Sequence, residues 1–396
     1  MMLKNNKYIY KYIFLFPFYF FTSFIFLFSC QDPFVKQASY SPFEKKLLVK
    51  SAAWSNILKL KNGDLAIFYQ KANDIGIPNQ VQVSIEMIKS FDGGSNWTKP
   101  QIVFDDLQHK KTDWGYSVSQ ARNIAVGILP SGRIIVAFTI QEYSINPEGQ
   151  PITISPTPAS FIIKGLYTIF SDNNGLSFSP PKKVISNYII APTPHDKIVI
   201  DKYGNAFMSV YGATNSTWTN SSVEIFKSID KGESFQFYST VEKSQLPPFG
   251  ETSLLITNQN SHAFVRAPSN ETIHYISSDN LKTWQFKGAV TENMQIPSQP
   301  RLLENNNILL FSGNRKLPFG IVGRISNDYG LSFGDSKRIV ELSSYNHGYP
   351  NAVQKNNNII LTYYEMPTTN RYKEDWLDSE IFIVKFSEED FKNKLD

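Results

Sequence analysis

The chain has 396 residues, with 39 Lys and Arg against 35 Asp and Glu, which gives a formal net charge of +4. Aromatic residues make up 14% and charged residues 19%, a composition that excludes a coiled coil and a globally disordered chain. So small a charge, without a dense basic stripe, excludes nucleic acid as a partner. The one cysteine excludes an intrachain disulfide framework and a cysteine-based zinc site.

The N-terminal segment has the pattern of an export signal. Three lysines precede a run over residues 12–29 that carries no charge and consists mostly of Phe, Ile, Leu and Tyr, as in the basic and apolar regions of a secretory signal. The run ends in Leu27-Phe28-Ser29-Cys30, which resembles the lipobox of bacterial lipoproteins, where the cysteine is lipidated. An uncleaved membrane helix and plain signal cleavage are the alternatives left open.

These features predict the organisation of the chain. We expect a signal peptide over residues 1–29, a tether lipidated at Cys30 over 30–45, and one folded domain over 46–396. The protein is then an exported lipoprotein, anchored in the membrane at the cell surface or in the periplasm.

One short pattern, Ser-x-Asp-x-Gly-x-x-Trp/Phe, recurs along the folded domain. We call its five copies the box turns; they span residues 90–97, 171–178, 228–235, 277–284 and 326–333, the second with Asn173 in the Asp place and the fourth with Leu281 in the Gly place. Asp accepts hydrogen bonds from its own turn and Gly supplies a positive φ, so the pattern predicts tight turns with structural aspartates.

A second pattern, an apolar strand, a polar turn and another apolar strand, occurs six times. The turns lie near residues 62–63, 131–132, 203–204, 258–260, 305–307 and 356–358. About 60 residues for each unit fits a four-stranded blade with long loops. We therefore predict an all-β fold, a single six-bladed β-propeller; an array of β-sandwiches is the alternative.

The box turns resemble the Asp-boxes, or BNR repeats, of the sialidase superfamily. The resemblance covers residues 46 to about 385 and implies a site on the propeller axis, at the end opposite the boxes. Glu251 with Arg266, then Arg315, then Tyr349 resemble in order and spacing the family's glutamate, two arginines and nucleophilic tyrosine. In that chemistry guanidinium groups hold the sugar carboxylate. The family uses a tyrosine as its nucleophile, because the carboxylate of the sugar would repel a carboxylate nucleophile on the enzyme.

The sequence departs from the family at two places. The family's first arginine is absent from the start of blade one, where Trp54 and its neighbours stand, and Arg122 and Arg301 are the further candidates for substrate binding. Asp74 is the expected acid/base, because it is the only carboxylate in roughly the right loop of blade one. Asp196 is its rival.

The expected function is that of an exo-α-sialidase-like retaining glycoside hydrolase, which removes a terminal acidic sugar such as sialic acid. Tyr349, Glu251 and Asp74 are the expected catalytic residues, and the resemblance requires neither a metal nor a cofactor. Sialylated or other acidic glycans are the expected partners. A non-catalytic glycan-binding propeller and a hydrolase of another acidic sugar, such as a uronic acid, are the alternatives.

Overall fold

The structure is a computed structural model that describes residues 42–105, 107, 109–113, 115–150, 161–188, 190–215, 220–244, 250–366 and 372–394. The predicted signal peptide and Cys30 lie outside these residues. The described chain forms six sheets of four to six strands, each a blade of one propeller. The prediction of an all-β, six-bladed propeller is confirmed.

Each blade is built from strands that follow one another in the chain. The bounds in chain order, blade by blade, are as follows. The first strand, β1 (Lys46–Lys50), belongs to blade six; blade one has β2 (Ala52–Lys59), β3 (Leu65–Asp74), β4 (Val81–Ser90) and β5 (Gln101–Phe104); blade two has β6 (His109–Thr112), β7 (Gly115–Ile128), β8 (Ile134–Ile145), β9 (Phe161–Ser171) and β10 (Lys182–Val184). Blade three has β11 (Ile190–Pro194), β13 (Val199–Ile200), β14 (Ala206–Ala213), β15 (Ser221–Ser228) and β16 (Gln236–Ser244), while β12 (Asp196–Lys197) pairs in parallel with β7. Blade four has β17 (Thr252–Ile256), β18 (Ser261–Arg266), β19 (Thr272–Ser277) and β20 (Gln285–Ala289); blade five has β21 (Gln295–Leu302), β22 (Ile308–Asn314), β23 (Gly320–Ser326) and β24 (Lys337–Glu341); blade six has β25 (His347–Lys355), β26 (Asn358–Glu365) and β27 (Glu380–Ser387). Two short helices, α1 (Tyr372–Leu377) and α2 (Glu388–Asn393), flank β27.

The ring is closed by the first strand of the chain. β1 pairs antiparallel with β27 and so completes blade six from the opposite end of the domain. Phe43, inside the predicted tether, is buried and stacks on Phe386 with ring centroids 5.0 Å apart. One blade therefore contains strands from both ends of the described domain, and this joins the first and last blades into a ring.

The box turns share one hydrogen-bond arrangement. In the first, the Ser90 hydroxyl donates to Asp92 Oδ1 and accepts from the Gly94 N–H, at 2.9 and 2.7 Å. The same serine contacts recur in the other four. Gly94 has a φ of +84°, the left-handed conformation that glycine adopts at low cost. Leu281 takes the same conformation in the fourth turn, with a φ of +65°.

The strand order separates the two ends of the propeller. The inner hairpins and the box turns lie at one end, here called the box face, and the starts of the inner strands lie at the other, here called the site face. Buried aliphatic and aromatic side chains fill the space between neighbouring blades, as in the cluster that joins blades one and two. Within the described ranges, no helix has the length and apolar character to cross a membrane.

Candidate active site

The β17–β18 hairpin places a carboxylate and a guanidinium group side by side on the site face. Thr252 is opposite Val265 in this register, so Glu251 and Arg266 form the next pair, and the Arg266 N–H donates to the Glu251 carbonyl at 3.0 Å. Arg266 Nη1 also donates to both carboxylate oxygens of Glu251, at 3.1 and 3.2 Å. A short hairpin between apolar strands therefore fixes a half-buried ion pair.

Tyr349 reaches this pair from blade six. Its hydroxyl donates to Glu251 Oε1 at 2.5 Å, although the two residues are 98 positions apart in the chain. The contact joins the predicted nucleophile to the predicted proton acceptor. Geometry of this kind, a nucleophile within hydrogen-bond reach of a base that is itself held by a third group, is typical of covalent catalysis.

The backbone around the axis is strained in the same way in four blades. Trp54, Asn123, Asp196 and Tyr349 have φ values between +48 and +58°, a conformation that costs about 1–2 kcal/mol for a residue with a side chain. All four line one cavity on the axis. Trp54 thus holds in blade one the position that Tyr349 holds in blade six. Clustered strain of this sort is typical of a functional site.

The electrostatics of the cluster favour an ionised glutamate and a neutral tyrosine. Burial would raise the pKa of Glu251, but the charge of Arg266, the nearby His195 and the Tyr349 hydrogen bond outweigh it and bring the pKa below its usual value. Burial, followed by the charge of Glu251, raises the pKa of Tyr349 well above 10. Arg315 and Arg266 act in the opposite direction on this phenol. At pH 7 an ionised Glu251 therefore accepts the hydrogen bond of a neutral Tyr349, and ionisation of the phenol depends on Arg315 and Arg266, the charges that lower its pKa.

Two more arginines flank the cluster. Arg315 follows β22 and donates from Nη2 to the His347 carbonyl at 3.2 Å, just before Tyr349. Arg122 comes from β7 in blade two. The charges of Arg315, Arg266 and Arg122 all lower the pKa of Tyr364, so the three guanidinium groups lie near this ring.

Arg122 is held by aromatic rings. Its guanidinium carbon lies 4.7 Å from the centroid of Trp376 and 5.6 Å from that of Trp54, within the range of a cation–π contact. Trp54 also packs on Trp376 and on Tyr349, with centroids 4.8 and 5.8 Å apart. Blade one thus has Trp54 where the resemblance implied an arginine, and Trp54 packs against Arg122 of blade two.

Asp74 and Arg301 lie outside the group of residues that the contacts above join. Asp74 ends β3 on the site face, where its side chain is exposed and Oδ1 accepts a hydrogen bond from the Gly76 N–H at 2.9 Å, as in an ordinary turn. Arg301 lies toward the box face on β21. Burial lowers its pKa, and Glu304 is the charged group that raises it. The role of Asp74 as acid/base stays a prediction.

Asp196 and His195 line the cavity on the axis together with Tyr349. The Asp196 carboxylate accepts a hydrogen bond from the Asn351 amide, and the His195 ring meets the Tyr349 ring edge-on at 5.5 Å. Burial lowers the pKa of His195 to about 4, so its imidazole is neutral at pH 7. The shared cavity has a volume of about 10 Å³, room for about one water molecule.

Sequence reasoning missed the aromatic support of the site. Trp54, Trp376 and the buried Tyr364 surround Arg122 and Tyr349, yet they come from blades one and six. The one available signal was Trp54 itself, which stands where the first arginine was expected.

The fold resembles those of solved sialidases. A protein of unknown function from Dyadobacter fermentans superposes with a TM-score of 0.69 at 19% identity, over 89% of this chain and 99% of that chain. The Hadza microbial sialidase Hz136 gives 0.62 at 14%, over 85% and 66%. The Trypanosoma rangeli sialidase, solved with the inhibitor DANA, gives 0.59 at 14%, over 89% and 58%.

The fold is a sialidase-like propeller. This chain spans about two thirds or less of the two sialidases compared above. At these identities the likeness establishes the architecture and leaves the activity to the site. No protein-family model and no curated protein matches the sequence.

Proposed function

We propose that this propeller is a retaining exo-glycosidase that removes a terminal acidic sugar, of the sialic acid class, from glycoconjugates. The observation that carries the proposal is the 2.5 Å contact between the Tyr349 hydroxyl and Glu251, with Arg266 on the same carboxylate. The sialidase-like fold supports a carbohydrate ligand in general.

The reaction begins at the tyrosine. Tyr349 Oη attacks the anomeric carbon while its proton passes to the Glu251 carboxylate, and the glycosidic C–O bond breaks as the leaving oxygen takes a proton from an acid. Asp74 is our candidate for that acid. Water then attacks the glycosyl–tyrosine bond, gives one proton to the Asp74 carboxylate, and the proton on Glu251 returns to Tyr349. Two displacements at the same carbon retain its configuration.

The arginines supply the specificity. Three positive charges lie near the Tyr349 and Tyr364 rings: Arg266 and Arg315 act on both phenols, and Arg122 acts on Tyr364. A sugar carboxylate bound there is held by charge-assisted hydrogen bonds. Its negative charge would partly offset the arginine field, and a neutral tyrosine is not repelled by it.

Hydrolysis of a fluorogenic sialoside tests the proposal. We expect release of the fluorophore by the wild type and a loss of at least about 1,000-fold with Tyr349→Phe, because the nucleophile is removed. Tyr364→Phe is the matched control, since it keeps a buried ring near Trp54 and removes a hydroxyl whose described hydrogen bond is to Asn346 Oδ1, at 3.4 Å. Equal activity of the wild type and Tyr349→Phe would contradict the proposal.

A second function, binding of an acidic glycan without hydrolysis, is favoured by one observation. Asp74 is exposed, and its Oδ1 accepts a hydrogen bond from the Gly76 N–H of its own loop, an arrangement typical of a structural turn aspartate. Binding without release of sugar, measured by calorimetry with free sialic acid, would support it over the hydrolase.

We also propose that the protein is exported and anchored in a membrane through lipid on Cys30. The lipobox-like sequence and the apolar run before it support this assignment. Replacement of Cys30 by Ser should shift the chain from the membrane fraction to the soluble fraction. An uncleaved helix would keep the variant in the membrane.

A further inference from the structure

The box face carries exposed apolar side chains at the tips of its turns. Phe91 in the first box turn is 66% exposed, and Leu176, Ile229 and Leu331 in three others are 72, 78 and 55% exposed. None of these side chains is needed for the hydrogen bonds of its turn. Exposed apolar groups that recur on one face mark a surface for contact.

Positive charge concentrates around the first of these tips. Lys46 Nζ donates to the Ser95 carbonyl at 2.7 Å, and Lys385 Nζ donates to the Gly93 carbonyl at 3.1 Å. Lys355 Nζ donates to the Gly63 carbonyl of the neighbouring hairpin at 2.7 Å. Three ammonium groups from blade six therefore crowd the turns of blade one.

More lysines stand on the same end of blade one. We define the box-one patch as Phe91 with Lys46, Lys59, Lys61, Lys99, Lys355 and Lys385. Asp64 and Asp92 are the two aspartates in the inner hairpin and the box turn of this blade, so the patch is strongly basic. Its composition, one protruding aromatic ring within a ring of lysines, is complementary to an anionic interface with an apolar interior.

The chain enters the domain beside this patch. β1 runs from the box face to the site face, and Lys46, its first residue, contacts the first box turn. Phe43 fixes the preceding segment against Phe386, at the box-face end of β27. The twelve residues that follow Cys30, up to Pro42, reach at most about 40 Å when fully extended.

We propose that the box-one patch docks on an anionic lipid surface, so that the Tyr349 end of the axis faces away from the membrane. The proposal rests on the membrane attachment proposed above and is independent of the hydrolase chemistry. In this orientation, the Tyr349 end of the axis is open to glycans that approach the membrane surface from the solution.

Labelling of introduced cysteines tests the orientation. The full chain is placed in vesicles of phosphatidylcholine alone or with phosphatidylglycerol, and a soluble maleimide is applied to Phe91→Cys or Tyr345→Cys. Tyr345 is the matched position, 51% exposed and next to the start of β25 on the site face. We expect about ten-fold slower labelling at position 91 with phosphatidylglycerol, reversed by salt, and no change at position 345.

Charge reversal tests the role of the lysines. Lys59→Glu with Lys99→Glu changes two exposed residues of the patch and should abolish the slow labelling at position 91. Lys110→Glu with Lys111→Glu makes the same change in charge on exposed residues of β6 and should leave it intact. Equal labelling of position 91 in both kinds of vesicle, slow labelling of position 345, or failure of the chain to remain with the vesicles would overturn the proposal.

Discussion

Two buried histidines in blade four should make the fold sensitive to acid. His262 and His274 lie on the adjacent strands β18 and β19, with Nδ1 of the first 3.0 Å from Nε2 of the second. The His274 ring stacks on Phe264 at 4.8 Å. Burial lowers the pKa of His262 to about 4, and burial with the charges of His262 and Lys287 lowers that of His274 to about 3.

The direction of the effect follows from proton linkage. Unfolded histidine has a pKa of about 6.5, so between that value and about 4 the unfolded chain binds protons that the folded chain does not. The contribution of these two histidines to the unfolding free energy is therefore constant above about pH 6.5 and falls as the pH drops below it. Each pH unit costs about 1.4 kcal/mol for each histidine once the pH is well below 6.5, so at pH 5 one such histidine has cost about 2 kcal/mol.

The variant His274→Phe isolates one of the two. Phenylalanine keeps the stacking on Phe264, removes one titrating ring and leaves His262 Nδ1 without its partner, a cost of about 1–3 kcal/mol at pH 7. The difference in unfolding free energy between the variant and the wild type should then move by about 2 kcal/mol in favour of the variant between pH 7 and pH 5.

Urea unfolding at several pH values measures this difference. Tyr363→Phe is the control, because burial and the charge of Glu365 raise the pKa of Tyr363 far above this range. Its difference from the wild type should not depend on pH. A constant difference for His274→Phe as well would refute the reasoning.

Three further predictions concern the site. Glu251→Gln should lower kcat at least about 100-fold, because the proton acceptor of Tyr349 is lost, and unchanged steady-state kinetics would contradict the assignment. Arg266→Gln should move the acid limb of the pH profile of kcat/KM to higher pH, because Arg266 is the charge that holds the pKa of Glu251 down; a limb that stays in place would show that Glu251 does not control it. Trp376→Leu should raise KM about ten-fold with little change in kcat by loosening Arg122, whereas Trp376→Phe should retain most of the affinity; equal effects of the two variants would assign Trp376 a packing role alone.

The architecture was predictable because its signals are local. Each box turn and each hairpin turn is specified by a few consecutive residues, and the number and spacing of these turns indicate six blades. The same holds for Glu251 and Arg266, which face each other because one short hairpin sets their register.

The aromatic support of Arg122 was not predictable, because its members meet only through closure of the ring. Trp376 is 254 positions from Arg122, and it approaches the axis only after α1 packs beside blade one. The left-handed backbone of Trp54 and Tyr349 likewise depends on breaks in the inner strands, which no residue type announces. Asp74 shows the opposite problem, since it lies in roughly the loop that the resemblance implies, while its Oδ1 accepts a hydrogen bond typical of a turn.

The most direct test of the central claim is to trap the tyrosine. The wild type, Tyr349→Phe and Tyr364→Phe are incubated with 2,3-difluorosialic acid, and the intact mass and the proteolytic peptides of each are measured. We predict one covalent sugar on the peptide that contains Tyr349 in the wild type and in Tyr364→Phe, and none in Tyr349→Phe. The absence of an adduct on wild-type Tyr349, or an adduct at another residue, would contradict the assignment of Tyr349 as the nucleophile toward this sugar.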